Sequence, residues 1–358
     1  MDRLRRLMAL SGLVLLGLGG QVAGMGAGDY ASLDELLSDF VDPDEPGVVV
    51  LVNVGGTRES AARGMADLAE GRSIRVGDQF RIGSATKPFV AALVLQLVEE
   101  GRMSLDEPIA TYLPPDMVPR IANVRRASVA QVLAMTSGVP DYTASDEFDE
   151  RVRQRPSYPW QAAEVVAFVF DEPASFDPGT DYEYSNTNYI LAQLAIERVL
   201  NTTLQQAMAE RMFEPLGLTG SFVEMPGRFA EGIVTGYEDH RGWEDVTRIN
   251  DGVGLGDGGV VSSAAELERL ALALWDGTLL RPASRDRMMS PVRDNYGLGI
   301  GVDRSMLGTI YSHAGATSGF QSVFALVPSR DAVVVVLTNN FDSQIVEDLV
   351  YAVLEYAL

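Results

Sequence analysis

Two groups of β-branched segments at opposite ends of the chain constrain its fold more than any other feature. Val48-Val49-Val50-Leu51-Val52 follows Pro46-Gly47, and Gly55-Gly56 turns the chain into a second extended segment over 58–68. Near the other end, extended character returns at 309–312, 320–327 and 332–338, with Pro328-Ser329-Arg330-Asp331 as a turn. A two-stranded hairpin is marginal in water, so strands from both ends are expected to complete one sheet. Between them the apolar spacing is helical. The expected fold is therefore α/β of the α+β type: an antiparallel sheet built from N- and C-terminal strands, flanked by helices, with a mainly helical inserted part. The sheet part is placed at about 29–85 and 290–358, and the helical part at about 86–289. A cleft between the two parts is the default place for a site.

The chain carries 28 Lys+Arg, and Lys87 is its only lysine. It stands in Phe80-Arg81-Ile82-Gly83-Ser84-Ala85-Thr86-Lys87-Pro88-Phe89, where a short apolar strand ends and a helix begins. That helix continues through Val90, Leu93, Val94, Leu97 and Val98 and stops before Gly101. Ser84 falls in its first turn, with Lys87 three residues on and on the same face. Arginine stays protonated in proteins, whereas a desolvated lysine is brought into titrating range. A hydroxyl with a proton-accepting amine one turn away is an activated nucleophile.

Several function classes are excluded or disfavoured. The formal charge is −22 and the pI about 4.4, a surface that repels nucleic acid and anionic lipid. With no cysteine there is no thiol catalysis, disulfide or Cys-ligated zinc. The two histidines, His240 and His313, are far apart and form no His-Glu-x-x-His helix, so no metal site is expected. Gly254-x-Gly256-x-x-Gly259 matches a dinucleotide fingerprint formally, but follows no strand of a βαβ unit. It reads as a flexible lead-in to a helix opened by the capping box Ser263-Ala264-Ala265-Glu266. The acidic, aromatic stretch 140–159 reads as a mobile segment. No cofactor is called for. Residues 1–28 read as a secretory signal: Arg3, Arg5 and Arg6 precede an apolar run from Leu7 to Gly19 and small residues around Ala23 to Gly28. The remainder, 29–358, is expected to be an exported, periplasmic or extracellular protein, compatible with association with the cell envelope.

Two further clusters bear on chemistry. Tyr184-Ser185-Asn186 precedes a helix near Tyr189. A tyrosine near a lysine ammonium has its phenolate favoured and shuttles protons, and an asparagine holds a substrate amide. His313-Ala314-Gly315 falls on the first returning strand. There Gly315 permits close approach of a substrate, and the backbone N–H groups of Ala316 and Ser84 supply an oxyanion hole.

With Ser84-x-x-Lys87, Tyr184-x-Asn186 and His313-x-Gly315 in that order, the chain resembles the serine β-lactamase and penicillin-binding-protein superfamily. Within it, the chain is similar to the class C β-lactamase and D-alanyl-D-alanine carboxypeptidase branch, which has Tyr-x-Asn. The resemblance runs from about Pro46 to Asn340 and includes Thr136-Ser137-Gly138-Val139-Pro140-Asp141-Tyr142 and Pro215-Leu216-Gly217-Leu218. It implies a β-lactamase/transpeptidase-like fold and an acyl-enzyme on Ser84, with Lys87 and Tyr184 moving its proton and either one as base. Asn186 and His313 would orient a small-molecule or peptide substrate, His313 through its charge. Peptidase or amidase action on D-amino-acid peptides and esterase action lead. A β-lactamase, or a non-catalytic penicillin-binding or sensor relative, is the alternative. Ala314 departs from the Lys-Thr-Gly of β-lactamases, and neither it nor Ala316 has a hydroxyl for a substrate carboxylate. Met135 replaces a His or Tyr common in relatives.

Overall fold

The computed structural model describes residues 30–225, 229–341 and 343–358, so the signal expected at 1–28 lies outside the described residues. Helix α1 (Leu33–Phe40) is capped by the Ser32 hydroxyl, which accepts from the Glu35 amide. Strands β1 (Val48–Val54) and β2 (Thr57–Arg63) form the first hairpin. Helix α2 (Lys87–Glu99) and helix α3 (Thr187–Leu200) belong to the helical part, and α4 (Ala264–Trp275) leads back to the sheet. Strands β3 (Gly301–Ser305), β4 (Gly308–Thr317), β5 (Phe320–Val327) and β6 (Ala332–Thr338) follow, then helix α5 (Ser343–Ala357).

All six strands join in one antiparallel sheet of order β3-β4-β5-β6-β1-β2, so the two ends of the chain meet where β1 pairs with β6. The strand period of two sorts their side chains between two cores. Val49, Leu51, Val333, Val335 and Leu337 enter the large core shared with α2, α3 and α4. Val48, Val50, Val52, Val334 and Val336 enter a second core, closed by α1 and α5. That double burial is why β6 reads as an unbroken apolar run rather than an alternation. The expected α/β architecture is the one observed.

Four local expectations are corrected. The second extended segment breaks at Gly64, which adopts φ +98°, and a Cβ there would lie 2.5 Å from the Gly47 Cα. Residues Met65–Asp67 pair instead with Arg72–Ser73. The first returning strand is β3, a short edge strand without a strong apolar pattern; the segment with His313 is the second and runs on to Thr317. The stretch 140–159 is ordered around aromatic packing, with a helix at Asp146–Gln154. Phe148 there packs against Tyr142, Trp160 and Phe168 at ring distances of 5.0, 5.2 and 5.3 Å. At α4 neither half of the capping box forms: the Ser263 side chain makes no capping bond, and the Glu266 carboxylate accepts instead from the Gly220 amide and the Ser221 hydroxyl.

Candidate active site

Ser84 sits in a tight turn, Gly83–Thr86, that feeds directly into α2. Pro88 in the first turn of α2 costs no helix bond, since that N–H would have no partner. The turn is pressed against β4 by two glycines. A Cβ on Gly315 would lie 1.9 Å from the Ile82 carbonyl oxygen and 2.9 Å from the Ala85 nitrogen. Gly83 adopts φ +50°, and a Cβ there would lie 2.7 Å from the Ala316 nitrogen. The space Gly315 leaves is therefore filled by the nucleophile turn rather than by substrate, which corrects the sequence reading. The contact brings the Ala316 amide against Gly83, the residue before Ser84, and the Ser322 hydroxyl donates to the Ile82 carbonyl at 2.7 Å.

Lys87 is fully buried, and its Nζ has three oxygen neighbours: Ser84 Oγ at 2.9 Å, Asn186 Oδ1 at 2.9 Å and the Asp257 carbonyl at 2.7 Å. The last two accept only. A neutral amine, with two hydrogens and one lone pair, satisfies both and turns its lone pair to the Ser84 hydroxyl. Burial pulls the Lys87 pKa down to about 8, with the carboxylates of Asp257 and Asp141 acting against it. Asp257 is pushed up to about 6 by its own burial, opposed by Lys87 and the Tyr142 hydroxyl.

Asn186 is oriented from behind. Its backbone N–H donates to Asp141 Oδ1 at 3.1 Å, and its amide nitrogen donates to Asp141 Oδ2 and Thr143 Oγ1, both at 3.2 Å. With its amide hydrogens thus directed, Oδ1 must face Lys87. Asn186 thus positions the lysine while it also lines the cleft. Met135, at φ +59°, faces the same helix start, its sulfur accepting from the Ser185 amide and Asn188.

Tyr184 places its ring 5.0 Å from Lys87 Nζ. Its hydroxyl is buried with no hydrogen-bond partner among the described residues. Burial drives its pKa well above that of free tyrosine. The phenolate expected from sequence is thus disfavoured, because desolvation outweighs the neighbouring amine.

His313 is also buried. Neutral imidazole satisfies both its neighbours, Nδ1–H donating to the Ala314 carbonyl and Nε2 accepting from the Tyr296 hydroxyl at 3.0 Å. Burial and the nearby Lys87 amine pull its pKa down to about 3, so the expected cationic role in substrate binding is not available to it.

Outside these groups opens a small cleft of about 60 Å3. Ser84, Asn186, Asp257, Ala316, Tyr142 and Asp251 are among the residues lining it. Asp141 and Asp257 escaped the sequence reading. Asp141 lay in a stretch singled out only for resemblance. Asp257 lay in the glycine run taken as a loose lead-in, which proves tightly packed: Gly256 N–H donates to Gln193 at 2.8 Å, and a Cβ there would lie 2.9 Å from the Tyr189 carbonyl. Among the described residues no group of three or more His, Cys, Asp or Glu could hold a metal ion.

Compared with known proteins, residues 33–358 match a family model described as Beta-lactamase. Penicillin-binding protein 4* of Bacillus subtilis (strain 168) is 25% identical over 342 residues, covering 87% of this chain and 72% of that protein. Esterase EstB of Burkholderia gladioli is 29% identical over 222 residues, covering 58% of this chain and 53% of the esterase. Among solved structures, a D-stereospecific amidohydrolase from Streptomyces sp. aligns with a TM-score of 0.76 at 28% identity, over 89% of this chain and 97% of that one.

Proposed function

The chain belongs to the Beta-lactamase family, and on that premise we propose that it is a serine hydrolase that cleaves amide or ester bonds through an acyl-enzyme. The observation that carries this reading is the contact of 2.9 Å between Ser84 Oγ and a buried lysine amine whose remaining polar neighbours are both acceptors. Ser84 Oγ forms a bond to the acyl carbon while the bond to the leaving nitrogen or oxygen breaks. The hydroxyl proton passes to Lys87. Tyr184, kept protonated by burial, gives its own proton to the leaving group and is reprotonated from Lys87. Of the two candidate bases Lys87 is therefore preferred, and Tyr184 is the acid. Water attacks the same carbon in the second half, its proton following the reverse route. The amides of Ser84 and Ala316 are assigned to the oxyanion.

The relatives named as an esterase and an amidohydrolase support ester and amide substrates. Recognition of a substrate carboxylate, as β-lactams and C-terminal peptides require, is disfavoured. His313 is neutral, Ala314 and Ala316 lack hydroxyls, and Arg81 at the cleft wall is paired with Glu224 at 2.7 Å. Small esters and amides are accordingly placed ahead of β-lactams.

Ser84→Ala is expected to abolish both turnover of p-nitrophenyl butyrate and labelling by a fluorescent fluorophosphonate. Turnover retained in that variant refutes the nucleophile. Native protein that neither label nor ester touches is an inert binder. Among the described residues no helix is long and apolar enough to cross a membrane. Export through residues 1–28 remains part of the proposal, tested by N-terminal sequencing of protein recovered outside the cytoplasm.

A further inference from the structure

Asp257 is used twice by the fold and once left unused. Its carbonyl accepts from Lys87, and its Oδ2 accepts from the Tyr142 hydroxyl at 2.8 Å. Its Oδ1 has no hydrogen-bond partner among the described residues, although the residue lines the cleft and is only 7% exposed. A buried carboxylate oxygen without a donor is costly, and such exceptions call for an explanation.

We propose that the Asp257 carboxylate receives a primary ammonium group of the substrate, so that the site prefers esters and amides of amino acids with a free α-amine. This rests on the hydrolase reading above. An ammonium carries three N–H donors and the charge that a sheltered carboxylate favours. Oδ1 is itself buried, so the carboxylate receives the ammonium by turning toward the cleft about its soft χ2 torsion, a turn that loosens the Tyr142 bond to Oδ2. Asp251, the other acid on this wall, has its oxygens taken: Thr317 Oγ1 reaches Oδ1 at 2.8 Å, while the Ser318 N–H and hydroxyl reach Oδ2 at 2.9 and 2.8 Å. It adds negative potential rather than a second receptor. Ser84 and Asp257 line the same cleft, and Lys87 Nζ reaches both Ser84 Oγ and the Asp257 backbone carbonyl, so the proposal sets the ammonium of an amino ester on the cleft side of this residue.

The assignment has a catalytic consequence. The charged and titratable groups that act on or respond to Asp257 are Lys87, Asp141, Tyr142 and Tyr184. In the free protein the Asp257 carboxylate helps hold the proton on Lys87. A bound ammonium offsets that charge and frees Lys87 to accept the Ser84 proton. Substrate with an amine thus completes its own base, whereas a substrate lacking it leaves the lysine more often protonated.

The test compares phenylalanine methyl ester, as each enantiomer, with methyl 3-phenylpropanoate, which lacks only the amine. At pH 7 the better amino ester is expected to have kcat/KM higher by about 10- to 100-fold. The preference should shrink as pH falls through about 6, where Asp257 takes up its proton, and collapse in Asp257→Asn. A purely structural aspartate would lower both substrates together and leave the ratio alone. Equal kcat/KM for the two esters in the native protein overturns the proposal, as does an unchanged ratio in the variant. Binding keeps the question separate from turnover. In Ser84→Ala protein, calorimetry should show phenylalaninamide binding more tightly than 3-phenylpropanamide, and equal binding refutes the ammonium site. The hydrolase reading fails independently, through the absence of fluorophosphonate labelling on Ser84.

Discussion

The stretch from Phe80 to Phe89 carries two buried cations six residues apart, and the protein treats them in opposite ways. Arg81 is clamped: its Nε and Nη2 reach Glu224 at 2.7 and 3.3 Å, Nη1 reaches the Thr247 carbonyl at 2.8 Å, and Phe229 and Phe320 lie against the guanidinium. Lys87 is given no carboxylate oxygen among its hydrogen-bond partners, only a hydroxyl, an amide oxygen and a carbonyl. Its compensating charges, Asp257 and Asp141, act at a distance. A guanidinium clamped by a direct counter-ion serves structure, whereas an amine buried among neutral acceptors holds a proton that leaves near pH 8. Equal burial alone does not distinguish structure from chemistry. The side-chain type and its partner together do.

Breaking that contrast at the lysine should have the largest effect. Lys87→Arg installs a group that stays charged, so kcat/KM for p-nitrophenyl butyrate should fall by roughly 10³-fold, with no recovery at high pH. Activity retained at pH 7 would show that the residue supplies charge rather than a base. In the native protein, kcat/KM should rise about tenfold per pH unit and level off near pH 8, as Lys87 loses its proton. A rise that continues to pH 10 would mean that the lysine is not depressed.

At the arginine, Glu224→Gln should act on stability. Leaving Arg81 buried without its counter-ion costs about 3–5 kcal/mol, measured by urea unfolding at pH 7. The pH at which kcat/KM levels off should stay where it was. A shift would show that the two cations are coupled. Asp141→Asn sharpens the comparison at smaller scale. Removing a negative charge that favours the Lys87 ammonium lowers the lysine pKa further, so the limb of the pH profile should move to lower pH. The loosened grip on Asn186 should cost several-fold in kcat. A limb moved upward would contradict the sign of that interaction.

The sheet was legible because its pattern is local. Val48 to Val52 and Ala332 to Thr338 are β-branched enough to declare strands, and the need to close a sheet joins them. Edge strand β3 was missed because Gly301–Ser305 carries no such pattern and owes its place to pairing with β4. In the site, Ser84 and Lys87 were legible because one turn holds both. Asp141 and Asp257 were not, since each reaches the lysine only through folding, across residues distant in sequence. The errors about Tyr184 and His313 share one physical origin. Sequence offers the charge of a neighbour but not the depth of burial, and at both positions burial decides the protonation state.

His313 gives the smallest expected effect on catalysis and a sharp test of that last point. With its pKa pulled from 6.5 down to about 3, the ring is neutral at every pH where the protein would work. The kcat/KM profile should therefore contain no step near pH 6.5 that belongs to this imidazole, and His313→Gln, neutral at all pH, should keep the native shape. Stability should respond instead. Between about pH 3 and 6.5 the unfolded chain binds a proton on this imidazole that the folded protein does not. The contribution is thus fully present above 6.5 and lost progressively as pH falls toward 3. Urea unfolding at pH 7 and pH 5 should show the native protein losing more stability on acidification than His313→Gln. If the two lose the same amount, and a step near pH 6.5 in the native rate profile disappears in the variant, the imidazole is exposed to protonation. It then belongs with Lys87 among the groups whose charge the site uses.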